Sequence, residues 1–219
     1  MGECCESKRL KYQKALEYEI FVKEEYWFAK EKIKQADCVF DIWGHVGYFF
    51  KRVRLLNTHT KIHYFEPFDE LYLEAKEIVW GDIDIILNNF WIAWKSWEGE
   101  LFFNDEKTMQ SSKFVSFLNP KGDIRRVDFV SFSEYVEKQK ITSIDVLKMD
   151  IEGMEFEVLN SFKDEWSIIH SMIIEIHLLN EELKSRWNLI NQKLKDNFSF
   201  IEIKPSGYSE NIFLVWAYN

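Results

Sequence analysis

Phe198-Ser199-Phe200-Ile201-Glu202-Ile203-Lys204 and Ile212-Phe213-Leu214-Val215-Trp216-Ala217-Tyr218 are two strand-like runs joined by Pro205-Ser206-Gly207 and a few polar residues. A parallel pair needs a crossover of roughly a dozen residues or more, so this link predicts an antiparallel pair. The second run is apolar throughout, as expected of a strand covered on both faces.

Upstream of the pair, strand and helix patterns alternate. Cys38-Val39-Phe40-Asp41-Ile42 is a short apolar run ending at a glycine-containing turn, with helical residues 46–57 after it. Lys61-Ile62-His63-Tyr64-Phe65-Glu66-Pro67 is a second strand, and Pro67 opens a helix near 69–79. Ile83 to Leu87 is a third. Ile144-Asp145-Val146-Leu147-Lys148-Met149 restarts the alternation, with a helix from about Glu152, and Ser171 to Ile176 is a fifth strand. Asn180 is placed to cap a helix whose face carries Leu183, Trp187, Ile190 and Leu194. The fold class is therefore α/β, a mostly parallel sheet closed by an antiparallel C-terminal pair.

Two segments stand apart. Residues 8–35 are rich in Lys, Glu and aromatics, with Leu16, Ile20, Trp27 and Phe28 at helical spacings. We read 1–35 as a helical extension that packs on the core or offers a surface for a second copy. Residues 36–219 form the α/β domain. Within it, the Trp-rich stretch 90–131 has β-like pieces at Glu100–Phe103, Phe114–Leu118 and Arg125–Val130. It is too short for a core of its own and reads as an insertion or flap.

Composition narrows the function. The 219 residues are 47% hydrophobic and 17% aromatic, enough for a packed core and against disorder. With 28 Lys and Arg against 37 Asp and Glu, the formal charge of −9 argues against a nucleic-acid partner, whose phosphates are held mainly by basic residues. No run approaches the roughly 20 apolar residues of a membrane span. Met1-Gly2-Glu3-Cys4-Cys5-Glu6-Ser7 has neither the apolar core of a signal peptide nor the Ser or Thr of a myristoylation site. Three cysteines make no disulfide framework, so a reduced, cytoplasmic protein is expected.

In an open α/β sheet, ligands bind beyond the carboxyl ends of the strands, near the point where strand order reverses. The residues ending the predicted strands are Asp41, Glu66, Asp150 with Glu152, and Glu175 with His177. Gly44 and Gly47 in Asp41-Ile42-Trp43-Gly44-His45-Val46-Gly47 would let the backbone approach a nucleotide-like ligand beside a helix N-terminus. Glu66 ends the second strand, where an acid can accept two hydrogen bonds from a ribose. Asp150 and Glu152 straddle a strand-to-helix junction. They can hold a substrate hydroxyl as general base or, with Glu175 and His177, coordinate a hard cation.

The run Asp145-Val146-Leu147-Lys148-Met149-Asp150-Ile151-Glu152-Gly153-Met154-Glu155-Phe156-Glu157-Val158-Leu159, followed by Ile174-Glu175-Ile176-His177, resembles the FkbM-type methyltransferases. These are class I enzymes that use S-adenosylmethionine. Val39-Phe40-Asp41-Ile42 through Gly47-Tyr48-Phe49 resembles the family's first motif, and Phe65-Glu66-Pro67 its second. Ala93 to Phe103, with Glu98-Gly99-Glu100, is similar to its stretch after the third strand. The likeness runs from about residue 36 to the end.

The resemblance implies a seven-stranded Rossmann-like sheet with helices on both faces, an S-adenosylmethionine cofactor and methyl transfer, commonly to oxygen. Asp41, Gly44, Gly47 and Glu66 would then form the cofactor site, and Asp150, Glu152, Glu175 and His177 the catalytic, acceptor-side group. The acceptor expected is a small molecule or glycan, and no metal is assigned. The family has Gly two residues after the Asp, where this chain has Trp43 and then Gly44. After the third strand, Phe90-Trp91-Ile92-Ala93 is apolar, and Trp91 would stack on the adenine in place of an acid. An indole at 43 also raises the alternative of a closed cleft and a non-catalytic scaffold.

Overall fold

The computed structural model describes residues 5–23, 26–79, 81–103, 123–206 and 209–219. Cys4, the β-like piece at Phe114–Leu118 and Gly207 lie outside them. The strands are β1 (Cys38–Ile42), β2 (Lys61–Phe65), β3 (Ile85–Asn88), β4 (Trp91–Ala93), β5 (Trp97–Phe103), β6 (Asp123–Ser131), β7 (Val146–Met149), β8 (Ser171–His177), β9 (Phe200–Pro205) and β10 (Ile212–Tyr218). The helices are α1 (Cys5–Phe21), α2 (Lys30–Gln35), α3 (Tyr48–Leu56), α4 (Asp69–Ile78), α5 (Phe132–Gln139), α6 (Glu155–Ser161), α7 (Glu165–Ile168) and α8 (Glu181–Asn197).

Among the described residues, seven strands form the main sheet in the order β3-β2-β1-β7-β8-β10-β9. The first five are mutually parallel. β10 runs antiparallel to both neighbours, with Ile212 opposite His177 and Phe213 opposite Pro205, as the C-terminal run predicts. Strand order reverses between β1 and β7, which places a crevice beyond their carboxyl ends.

Period-2 alternation along the strands covers both faces of this sheet. Val39, Ile62, Val146, Ile173 and Leu214 pack with Phe49 and Val53 of α3, Ala75 of α4, Ile33 of α2 and Ile20 of α1. Their neighbours Phe40, Leu147, Met172, Ile174 and Val215 face Phe132 of α5, Phe156 and Leu159 of α6, and Leu183, Ile190 and Leu194 of α8. Each such fully buried side chain contributes about 1.5–3 kcal/mol. The N-terminal helices are therefore seated on the sheet's own core, and Phe28 lies 4.6 Å from the ring of Trp216.

Strands β4, β6 and β5 make a second, three-stranded sheet. Its Trp91, Leu101, Phe103 and Phe129 are buried in the same cluster as Phe65 and Phe68 at the end of β2. Two boundaries differ from expectation. The helix after β7 begins at Glu155, because Glu152 (φ 48°) and Gly153 (φ 98°) take left-handed conformations that an α-helix cannot include. The third strand starts at Ile85, since Ile83 is 91% exposed.

Candidate functional site

The loop after β1 is built around buried polar groups. Trp43 and His45 sit at φ 58° and 53°, a region sparsely used by residues other than glycine. Lys148, a cation in an otherwise apolar strand, donates through Nζ to the Trp43 carbonyl at 2.7 Å. The same Nζ lies 3.7 Å from Asp41 Oδ1. The Tyr64 hydroxyl donates to the His45 carbonyl. A Cβ on Gly44 would lie 2.2 Å from the Tyr64 ring, so only glycine fits there. Gly47, at φ 86°, is the N-cap of α3.

The acids of this loop are sealed. Asp41 is fully buried, and neither carboxylate oxygen has a hydrogen-bond partner among the described residues. Burial pushes its pKa up to about 6, against the pull of Lys148. Glu66 is also fully buried. Its Oε2 accepts from the His45 N–H at 3.1 Å and its Oε1 from the Phe68 N–H at 3.0 Å. Burial raises it to about 8, those two amides opposing. Trp43 and Trp91 turn their rings to each other, centroids 5.5 Å apart, and both indole N–H groups lack a partner among the described residues.

Above this loop lies a cavity of about 40 Å3, lined by Trp43, Gly44, His45, Lys148 and Asp150 below and by Leu16 and Ile20 of α1 and Tyr26 above. The orphaned Asp41 oxygens and indole N–H groups suit a polar ligand.

The second group lies at the ends of β7 and β8. Asp150, Glu175 and His177 each bring one ligand-type atom to within 4.8 Å of the others. Glu152 joins them, its Oε2 3.5 Å from His177 Nε2. His177 Nδ1 pairs with Glu155 Oε1 at 3.0 Å. Burial works against the charged His177 ring, but Glu152, Glu155 and Asp150 outweigh it and raise its pKa well above the ordinary value. Burial likewise raises Glu152, against the pull of His177. With both ring nitrogens facing carboxylates, His177 is poorly placed to bind a cation, which leaves Asp150 and Glu175 as oxygen donors. Asp150 lines the cavity as well, so the two groups adjoin.

All ten candidate residues thus fall at the carboxyl ends of β1, β2, β7 and β8 or on β4. Lys148, Tyr64 and Glu155 are additions. A lysine inside Val146-Leu147-Lys148-Met149 was the readable signal for the first, since a buried cation needs a nearby acceptor. Tyr64 and Glu155 carry no such mark.

A family model described as the methyltransferase FkbM domain matches residues 40–202. The chain belongs to that family. The seven-stranded sheet with its antiparallel closing pair is the architecture that the resemblance implies. A comparison with curated proteins finds no match. Among solved structures, methyltransferase FkbM from Methylobacillus flagellatus is similar at TM-score 0.56 and 11% identity. The match covers 84% of this chain and 44% of that one, so the chain spans under half the length of this relative. A Streptococcus mutans protein solved with S-adenosylhomocysteine gives TM-score 0.54 at 9% identity, covering 88% and 96%. A Thermotoga maritima S-adenosylmethionine-dependent O-methyltransferase gives 0.50 at 12%, covering 91% and 65%. At such identities these likenesses establish the fold alone. No described helix of this FkbM-family chain is long and apolar enough to cross a membrane.

Proposed function

We propose that this FkbM-family protein methylates an oxygen of a small-molecule or glycan acceptor, with S-adenosylmethionine as donor. What supports the acceptor side is the convergence of Asp150, Glu175 and His177 within 4.8 Å beside the crevice. Asp150 Oδ1 has no hydrogen-bond partner among the described residues, so it is the group free to take the proton of an acceptor hydroxyl. Glu152 is held by His177, and Glu175 is placed to orient a second hydroxyl. The net charge of −9 favours a neutral acceptor over RNA. Asp41, Gly44, Gly47 and Glu66 would hold the cofactor, which supplies the activated methyl group when bound.

A second reading has its own observation. Trp43 packed on Trp91, over a Glu66 whose oxygens are spent on backbone amides, favours a closed, non-catalytic scaffold. Titration calorimetry with S-adenosylhomocysteine decides between them when wild type is run beside Trp43→Gly. Micromolar binding by wild type, about −8 kcal/mol, is the expected result. Label from methyl-tritiated S-adenosylmethionine should then reach monosaccharides or phenols and not RNA. Binding by the variant alone would overturn the enzyme reading and establish the plug.

A further inference from the structure

We infer that Glu155 is a positioning residue, which fixes the ring of His177 and the turn presenting Asp150 and Glu152 to the acceptor. The inference rests on reading the β7–β8 end as the acceptor side. Glu155 is the first residue of α6 and is fully buried. A carboxylate in such a place is costly unless its oxygens are used. Oε1 gathers three groups, the Gly153 N–H at 3.0 Å, the Ile151 N–H at 3.3 Å and His177 Nδ1 at 3.0 Å, while Oε2 is buried with no hydrogen-bond partner among the described residues.

Those three partners explain the local geometry. Residues 152 and 153 take consecutive left-handed conformations, and Glu152 does so without being glycine. Such a turn persists only where its surroundings over-determine it, and the Glu155 carboxylate bonds the amides on either side of Glu152. The same oxygen reaches across to β8. With Nδ1 spent on Glu155, the imidazole can present only Nε2 to Glu152, 3.5 Å away. A histidine held at both nitrogens in this way has one orientation. The other charged groups facing the ring are Asp150 and Glu175. β10 places uncharged Ile212 opposite it. Glu155 therefore fixes the His177 ring between itself and Glu152 and leaves Asp150 for the acceptor.

The test uses the full chain with nitrogen-15 in its histidines, with His177→Gln assigning the signals. In wild type, both His177 nitrogens should stay protonated at neutral pH. In Glu155→Gln the titration midpoint should fall by about one pH unit or more, a tenfold loss of proton affinity. Glu155→Asp, which keeps the charge, should restore part of it. With an acceptor from the labelled panel, kcat should fall about tenfold in Glu155→Gln, KM staying within about twofold. S-adenosylhomocysteine affinity should be unchanged. An unchanged His177 spectrum in folded Glu155→Gln would overturn the inference, as would a rate loss matched by lost cofactor affinity. If Glu155→Gln does not fold, the Glu155→Asp spectrum decides. If wild type methylates nothing in the panel while the spectrum still shifts, the reading of function falls and the hold of Glu155 on His177 stands.

Discussion

At position 43 the backbone behaves as glycine and the side chain does not. A left-handed tryptophan costs about 1–2 kcal/mol, and here it is held by Lys148 on its carbonyl and by Trp91 on its ring. The neighbouring Gly44 is the more rigid requirement. Gly44→Ala would drive a methyl group into the Tyr64 ring and toward Asp41 Oδ2, 2.7 Å away. We expect it to cost about 1–3 kcal/mol in urea denaturation and to break the Tyr64–His45 bond. Unchanged stability would mean that Tyr64 can leave freely. Asp41 and Glu66 lie at strand ends and Gly44 and Gly47 in the turn after β1, as their spacing in the sequence predicts. Sequence reasoning assigned the oxygens of Glu66 to a ribose, whereas in this conformation they accept from His45 and Phe68. Which donor a carboxylate meets depends on the fold of a loop, and no spacing rule reports that.

Elements follow their local signals closely where the signal is chemical. Asn180 starts α8, its side-chain oxygen accepting the Leu183 N–H at 2.8 Å, with Glu181 and Glu182 in the first turn. Asn180→Ala should lower stability by about 1 kcal/mol, and Asn180→Asp should hold it. Equal midpoints in urea for all three would show that packing of Leu183 and Ile190 alone sets the start of the helix. The helix after β7 was legible only in part. Acids near a helix start look alike in sequence, and it takes the left-handed pair at 152–153 to separate Glu152, which stays in the turn, from Glu155, which enters the helix. The β-like pieces at Glu100–Phe103 and Arg125–Val130 were readable as strands, but not as part of a second sheet sharing the main core.

For the whole molecule, the buried titratable groups set how stability depends on pH. Asp41 and Glu66 are raised by burial to about 6 and about 8, so the native chain binds their protons more tightly than the unfolded chain. Their contribution is complete below the ordinary carboxylate range and is lost as pH rises through those values. His177, raised, runs the same way above its ordinary pKa. His63 runs oppositely: burial lowers it to about 4, so its contribution is lost as pH falls from its ordinary value toward 4. The raised carboxylates outweigh His63 between the ordinary carboxylate range and pH 6, so unfolding free energy should already decline from about pH 4.5 and go on declining toward about pH 8.5. Glu66→Gln should flatten that decline, and an alkaline limb identical to wild type would refute the assignment. By itself the sequence determined the parallel sheet, its antiparallel closing pair and the strand ends where polar residues gather. Periodicity and link length are local properties that a chain carries into any environment. Only the tertiary structure decided that α1 and Tyr26 lie over the crevice, that Trp43 meets Trp91 there, and that Glu155 holds His177. Those contacts join residues far apart along the chain, and their geometry exists only once both sides are packed.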